Sequence, residues 1–150
     1  EGIGTRPIDI VKDGVLSTWI LDLRSARQLG LASTGHASRG TSSPPSPSTS
    51  NLYLKAGNVS PAALMADIKS GFLVTELMGM GVNGITGDYS RGAAGYWIEN
   101  GEIAYPVNEI TVAGNLKRML AGLIAANDGD ETKSAVVPSL LVEGLTVAGG

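Results

Sequence analysis

The chain has 150 residues, 43% of them apolar and 17% charged, with a formal net charge of −3. Those values exclude a wholly disordered chain, and 11 basic residues leave no electrostatic footprint for DNA or RNA. No apolar run approaches the length of a membrane-spanning helix, and the absence of cysteine removes disulfides, thiolate nucleophiles and zinc–thiolate centres.

Ile8–Val11 and Val15–Leu21 are apolar runs separated by Lys12-Asp13-Gly14. Asp-Gly suits a hairpin turn whose two central residues need positive φ. Asp22 is placed to cap a short helix running to Leu29, with Gly30 where a left-handed C-cap belongs. Residues 33–50 form a Ser/Pro-rich segment, and Pro44, Pro45 and Pro47 forbid helix there. Two readings stand for it, an ordered functional loop and a mobile connector.

Ser60-Pro61 opens a second helix with Leu64, Met65 and Ile68 on one face, ended by Gly71. Phe72–Met78 reads as a buried strand. Tyr96–Glu99 and Glu102–Val107 flank Asn100-Gly101, the clearest hairpin signal in the chain, and Pro106 places an edge or a bulge in the second arm. Glu109–Ala113 continues as strand. Asn115 then caps a helix whose Leu116, Met119, Leu120, Leu123 and Ile124 have the spacing of one buried face. Leu140–Val147 closes the chain as a strand interrupted at Gly144. The expected fold is α+β, β-dominated and mostly antiparallel, with two or three short helices packed on hairpins and sheets in a single domain spanning 1–150.

Chemistry is sparse. Gly79-Met80-Gly81-Val82-Asn83-Gly84 satisfies G-x-G-x-x-G, but the following Ile85-Thr86-Gly87 is poor material for the helix a dinucleotide site requires. Glycines that bend a sheet are the better reading, since aromatic and β-branched residues are interleaved with them up to Gly101. His36 is the lone histidine, too few for a zinc enzyme's usual ligand set, and reads as an exposed loop residue. Asp128 could open a calcium loop only with Glu at the twelfth position, where Ser139 stands, so a solvated turn is expected. Asp88 and Arg91 flank a Tyr-Ser dipeptide and could pair or hold a peptide. No catalytic constellation emerges from these residues.

The run from Thr75 to Leu120, TELMGMGVNGITGDYSRGAAGYWIENGEIAYPVNEITVAGNLKRML, resembles the TldD/PmbA family, and its PmbA (TldE) branch in particular. Ser25–Gly40, Pro44–Leu54 and Leu140–Gly149 are similar to the flanking segments of the same family. The resemblance covers essentially this whole chain and the C-terminal third or so of a family member. It therefore implies a C-terminal domain of a longer protein, as does a first residue, Glu1, that is not methionine.

The family implies a cytoplasmic, heteromeric metalloprotease acting on unfolded peptides, first named as a modulator of DNA gyrase. Its TldD subunit binds metal through a helical H-E-x-x-x-H motif and a C-terminal cysteine; neither occurs in this sequence. The resemblance thus implies a non-catalytic subunit domain without a metal of its own, the metal, expected to be zinc, residing on a TldD-type partner. It leaves open whether the protein should be called an enzyme, and whether it pairs with that partner or with itself. His36, Asp88 and Arg91 are the candidate contacts to substrate or partner, with no nucleic acid or membrane involved. The alternative is a regulator of DNA gyrase acting through protein contact alone.

Overall fold

The computed structural model describes residues 1–149. It forms two compact units, Glu1–Tyr53 and Leu54–Gly150. In the first, β1 (Val11–Lys12) and β2 (Val15–Leu16) pair across a turn in which Asp13 and Gly14 have φ of 50° and 78°, as the Asp-Gly signal requires. The rest of Val15–Leu21 is irregular, and the hairpin is exposed.

Helix α1 (Leu23–Leu29) starts and stops where its capping residues predict. Asp22 accepts from the Ser25 N–H at 2.7 Å, while the Asp22 N–H donates to Ser25 Oγ at 3.2 Å. The Ser25 hydroxyl, and then its N–H, hold the Asp22 carboxyl below the ordinary carboxylate range. At the other end Gly30 takes φ 67°, and the N–H groups of Gly30 and Leu31 donate to the Arg27 and Ala26 carbonyls. The Ser/Pro-rich segment contains a short antiparallel pair, β3 (Ala37–Ser38) with β4 (Ser46–Pro47), and β5 (Leu52–Tyr53) follows.

The second unit is built on one antiparallel sheet. Helix α2 (Pro61–Ala66) is capped by Ser60 and ends at its C-cap Asp67, four residues before Gly71. Strands β6 (Ser70–Met78), β7 (Asp88–Glu99) and β8 (Glu102–Asn115) follow, then α3 (Leu116–Ala121), β9 (Ile124–Ala125), β10 (Ala135–Val136), β11 (Leu140–Leu141) and β12 (Thr146–Gly149). The sheet order is β12-β8-β7-β6, and β11 pairs separately with β9. Asn100 and Gly101, with φ of 52° and 84°, turn β7 into β8. The fold is thus α+β with hairpins dominant.

Three expectations change. Phe72–Met78, expected as a buried strand, lies in the edge strand β6 and is exposed from Val74 to Met78. The hairpin arms are longer than the sequence signal suggested, because Asp88–Gly95 joins β7 despite its glycines. Helix α3 ends at Ala121, Leu120 is 69% exposed, and Ile124 enters β9, so the expected buried face does not form. Packing on the sheet centres instead on Ala93, Ile110 and Val112, with Phe72, Val107 and Leu145 against them.

The sheet is irregular at two levels: β8 has an extra residue, Ala104, near the hairpin end, and at the second level both neighbours of β7 are bulged. β6 carries an extra residue at Thr75, and β8 places Asn108 and Glu109 opposite Ala94 alone. Glu109 has φ 56°, a left-handed conformation costing a non-glycine residue about 1–2 kcal/mol. Between the two bulges lies Gly95, whose Cβ, were there one, would overlap the Leu73 carbonyl. Gly95→Ala is expected to lower stability by about 1–3 kcal/mol, whereas Gly84→Ala, in open space, should change it by less than about 0.5 kcal/mol. Urea denaturation of the two variants checks this.

Candidate functional site

The paired bulges leave a shallow depression of about 320 Å³ in the sheet, lined by Thr75, Ala94, Tyr96, Pro106 and Asn108 among others. Thr75 Oγ donates to the Ala94 carbonyl at 3.2 Å, tying the extra β6 residue down. Beside it run two strand edges. β12 pairs only with Ile110–Ala113 of β8, so Glu102–Glu109 has no neighbour on that side among the described residues. Pro106 lacks an N–H and Glu109 is bulged, features that blunt an edge. β6 forms the opposite edge, and its Ser70–Val74 stretch pairs regularly with Gly95–Glu99 while its outer side stays free among the described residues.

Gly79–Gly84 lies in the 79–87 connection from β6 to β7, and no helix starts there, so the nucleotide-loop geometry is absent. The loop is held by Asn83, whose Oδ1 accepts from the Ile85 and Thr86 N–H groups at 2.9 and 3.2 Å. The Asn83 N–H donates to the Asp88 carbonyl at 2.9 Å, and the Ser90 N–H to the Gly81 carbonyl at 2.7 Å.

Asp88 and Arg91 both lie on β7, but three positions apart, which strand alternation sends to opposite faces. They form no ion pair; the one pair among the described residues is Lys133–Asp130 at 3.5 Å. Asp88 accepts from the Thr86 hydroxyl at 2.7 Å and from Asn115 Nδ2 at 3.3 Å, so its carboxylate is used to close the loop base. Arg91 is half-buried; its Nη2 donates to the Leu77 carbonyl at 3.1 Å and its Nε is buried without a partner.

His36, in the other unit, departs from the exposed reading: it is half-buried and its Nδ1 lacks a hydrogen-bond partner. The cause is the β3–β4 pairing, next to which the His36 carbonyl accepts from the Ser48 N–H at 3.2 Å. Asp128 serves as a turn clamp, accepting from Ser139 Oγ at 2.6 Å and Ser139 N–H at 2.7 Å. Those two bonds, the hydroxyl first, hold its carboxyl below the ordinary range. Among the described residues no three His, Cys, Asp or Glu side chains gather as metal ligands, and no helix is long and apolar enough to cross a membrane.

A glycine-bent, mostly antiparallel sheet carrying short helices defines an α+β domain class. Residues 1–149 match the family described as the PmbA/TldA metallopeptidase C-terminal domain, and the chain belongs to that family. It is 46% identical over 150 residues to the metalloprotease PmbA of Escherichia coli O157:H7, covering 99% of this chain and 31% of that protein. The chain therefore spans about a third of the length of that curated relative. A protein from Thermotoga maritima, proposed as a modulator of a DNA gyrase, superimposes with a TM-score of 0.84 at 36% identity over 98% of this chain and 34% of that one. TldE from Thermococcus kodakarensis shares the fold, with a TM-score of 0.86 at 22% identity over 99% of this chain and 35% of that one.

The Asn83 side chain ties the loop through two backbone N–H groups, a role the sequence reading did not assign. Asn83→Ala is expected to raise amide hydrogen exchange at Ile85 and Thr86 about fivefold or more, corresponding to one lost hydrogen bond of about 1 kcal/mol. Amide exchange followed by NMR reads it.

Proposed function

We propose that this chain is the C-terminal domain of a PmbA-like, non-catalytic subunit in a cytoplasmic TldD/PmbA-type metalloprotease complex. Its role is to enclose an extended, unfolded peptide beside a metal, expected to be zinc, carried by a TldD-type partner. The observation that carries this reading is the free outer edge of Ser70–Val74 in β6. An edge strand offers alternating backbone N–H and C=O groups, which bind any extended peptide by adding a strand, with little regard to its sequence.

The donor set agrees with a supporting role. One histidine and no cysteine leave this sequence without the ligands a zinc hydrolase uses. What its own residues can do is bind and orient: β6 supplies main-chain partners, and the adjoining depression has room for a substrate side chain. His36, Asp88 and Arg91 are the candidate polar contacts to substrate or partner.

A second reading, regulation of DNA gyrase by direct contact, is favoured by the description of the Thermotoga maritima relative. Replacing His36, Asp88 and Arg91 together by alanine should slow cleavage of an unfolded peptide by the complex reconstituted with a TldD-type subunit, by at least about fivefold. The comparison is made at equal folded fraction, judged by circular dichroism. An unchanged rate would remove these three residues from the reading. Retention of the protein by immobilised gyrase subunits, without any TldD-type chain, would favour the second one.

A further inference from the structure

The chain carries two Asn-Gly pairs, Asn83-Gly84 and Asn100-Gly101, and the fold treats them differently. In such a pair the glycine amide nitrogen can attack the side-chain carbonyl carbon of the preceding asparagine, since no Cβ hinders its approach. The attack needs a nitrogen without another partner, an electrophilic carbonyl in reach, water, and room for the main chain to close a small ring.

The surroundings of Asn100-Gly101 oppose the reaction. The pair forms the turn from β7 to β8 with φ of 52° and 84°. The Gly101 N–H donates to the Ile68 carbonyl at 2.8 Å, and the Asn100 N–H to the Lys69 carbonyl at 3.0 Å. Gly101 also packs against Ala66, whose carbonyl a Cβ at position 101 would overlap. Its nitrogen is therefore occupied, and ring closure would have to pull apart two long paired strands.

Asn83-Gly84 is the opposite case. Both residues are exposed, and the Gly84 N–H has no acceptor among the described residues. A Cβ on Gly84 would meet nothing within 4 Å, so the main chain has room to move. Asn83 Oδ1 accepts from the Ile85 and Thr86 N–H groups at 2.9 and 3.2 Å. These bonds fold the side chain forward over the main chain that follows it, which holds Cγ on the side of the Gly84 nitrogen. They also draw electron density from Cγ and aim two donors at the oxygen where negative charge develops during attack.

We propose that Asn83 is a deamidation site of this protein, with water as the co-reactant. Solvent takes the proton of the Gly84 N–H as that nitrogen bonds to Asn83 Cγ. The Cγ–Nδ2 bond then breaks, and Nδ2 leaves as ammonia with a proton from solvent. Water opens the resulting succinimide at either carbonyl, giving aspartate or isoaspartate, and no atom is oxidised or reduced. Both products place a carboxylate in a connection that has no charged side chain from Gly79 to Gly87, beside the exposed Met80 and Ile85. Aspartate keeps the two N–H donors and accepts from them as a charged group. Isoaspartate adds a methylene to the main chain. That takes two bonds out of register, the Asn83 N–H to the Asp88 carbonyl at 2.9 Å and the Gly87 N–H to the Asn83 carbonyl at 2.8 Å. The change is irreversible, so it accumulates with the age of the molecule and alters an apolar loop.

Peptide mass spectrometry of the purified protein, held in warm and mildly alkaline buffer, tests it. The conversion of amide to acid is followed at both pairs, and isoaspartate is counted by methyltransferase labelling. In the folded protein Asn83 should convert at least about tenfold faster than Asn100, and in urea the two rates should converge. Gly84→Ala, in open space and checked for folding by circular dichroism, should slow conversion at Asn83 by at least about tenfold. Equal rates in the folded protein, an Asn83 that stays intact, or undiminished conversion in Gly84→Ala would each overturn the inference. A difference that persists in urea would also overturn it, because local sequence and not the fold would then set the choice.

Discussion

The close approach of Gly95 to the Leu73 carbonyl is the constraint on which the second unit depends. Three strands are irregular at one level: β6 gains Thr75, β8 gains a residue at Asn108–Glu109, and β7 passes between them as Ala94-Gly95. A side chain at position 95 would push β6 away and undo the pairing. Bulges bend a strand and increase its twist, so aligning two of them concentrates the curvature of the sheet at that level. The left-handed Glu109 is the local conformational cost of that arrangement.

The bend has consequences for packing and for function. Strands as long as β7 and β8 would need a broad cover, yet the core cluster is confined to Ala93, Ile110, Val112 and their three neighbours. Tyr96, Ile103 and Tyr105 stay half exposed, as do Val74 and Leu77. The same bulges blunt the β8 edge while leaving Ser70–Val74 regular, which is why the proposed strand addition falls on β6.

Much of this was legible in the sequence where short-range chemistry decides. Asp13-Gly14 and Asn100-Gly101 marked their turns through the need for positive φ, and Asp22, Gly30, Ser60 and Asn115 marked helix ends through their caps. The family was legible from the Thr75–Leu120 wording. What failed was longer-range. The apolar spacing after Asn115 suggested a buried helical face, but the chain breaks at Gly122 and sends Ile124 into β9. The glycines up to Gly101 were legible as sheet-bending, but the extent of β7 back to Asp88 was not, and the reason for Gly95, close approach to the Leu73 carbonyl across the sheet, is one that local propensity does not report. His36 became half-buried through the β3–β4 pairing, in a segment whose prolines suggested none. Asp88 and Arg91 suggested a pair by proximity in sequence, while strand alternation separates them.

The central claim is that β6 lends its outer edge to an extended peptide. Amide hydrogen exchange of the protein, with a TldD-type subunit and an unfolded peptide present, addresses it directly. Strand addition should protect amides within Ser70–Val74 by at least about tenfold relative to the peptide-free complex, and leave Glu102–Glu109 unchanged. Unaltered exchange across Ser70–Val74 with peptide bound would contradict the account.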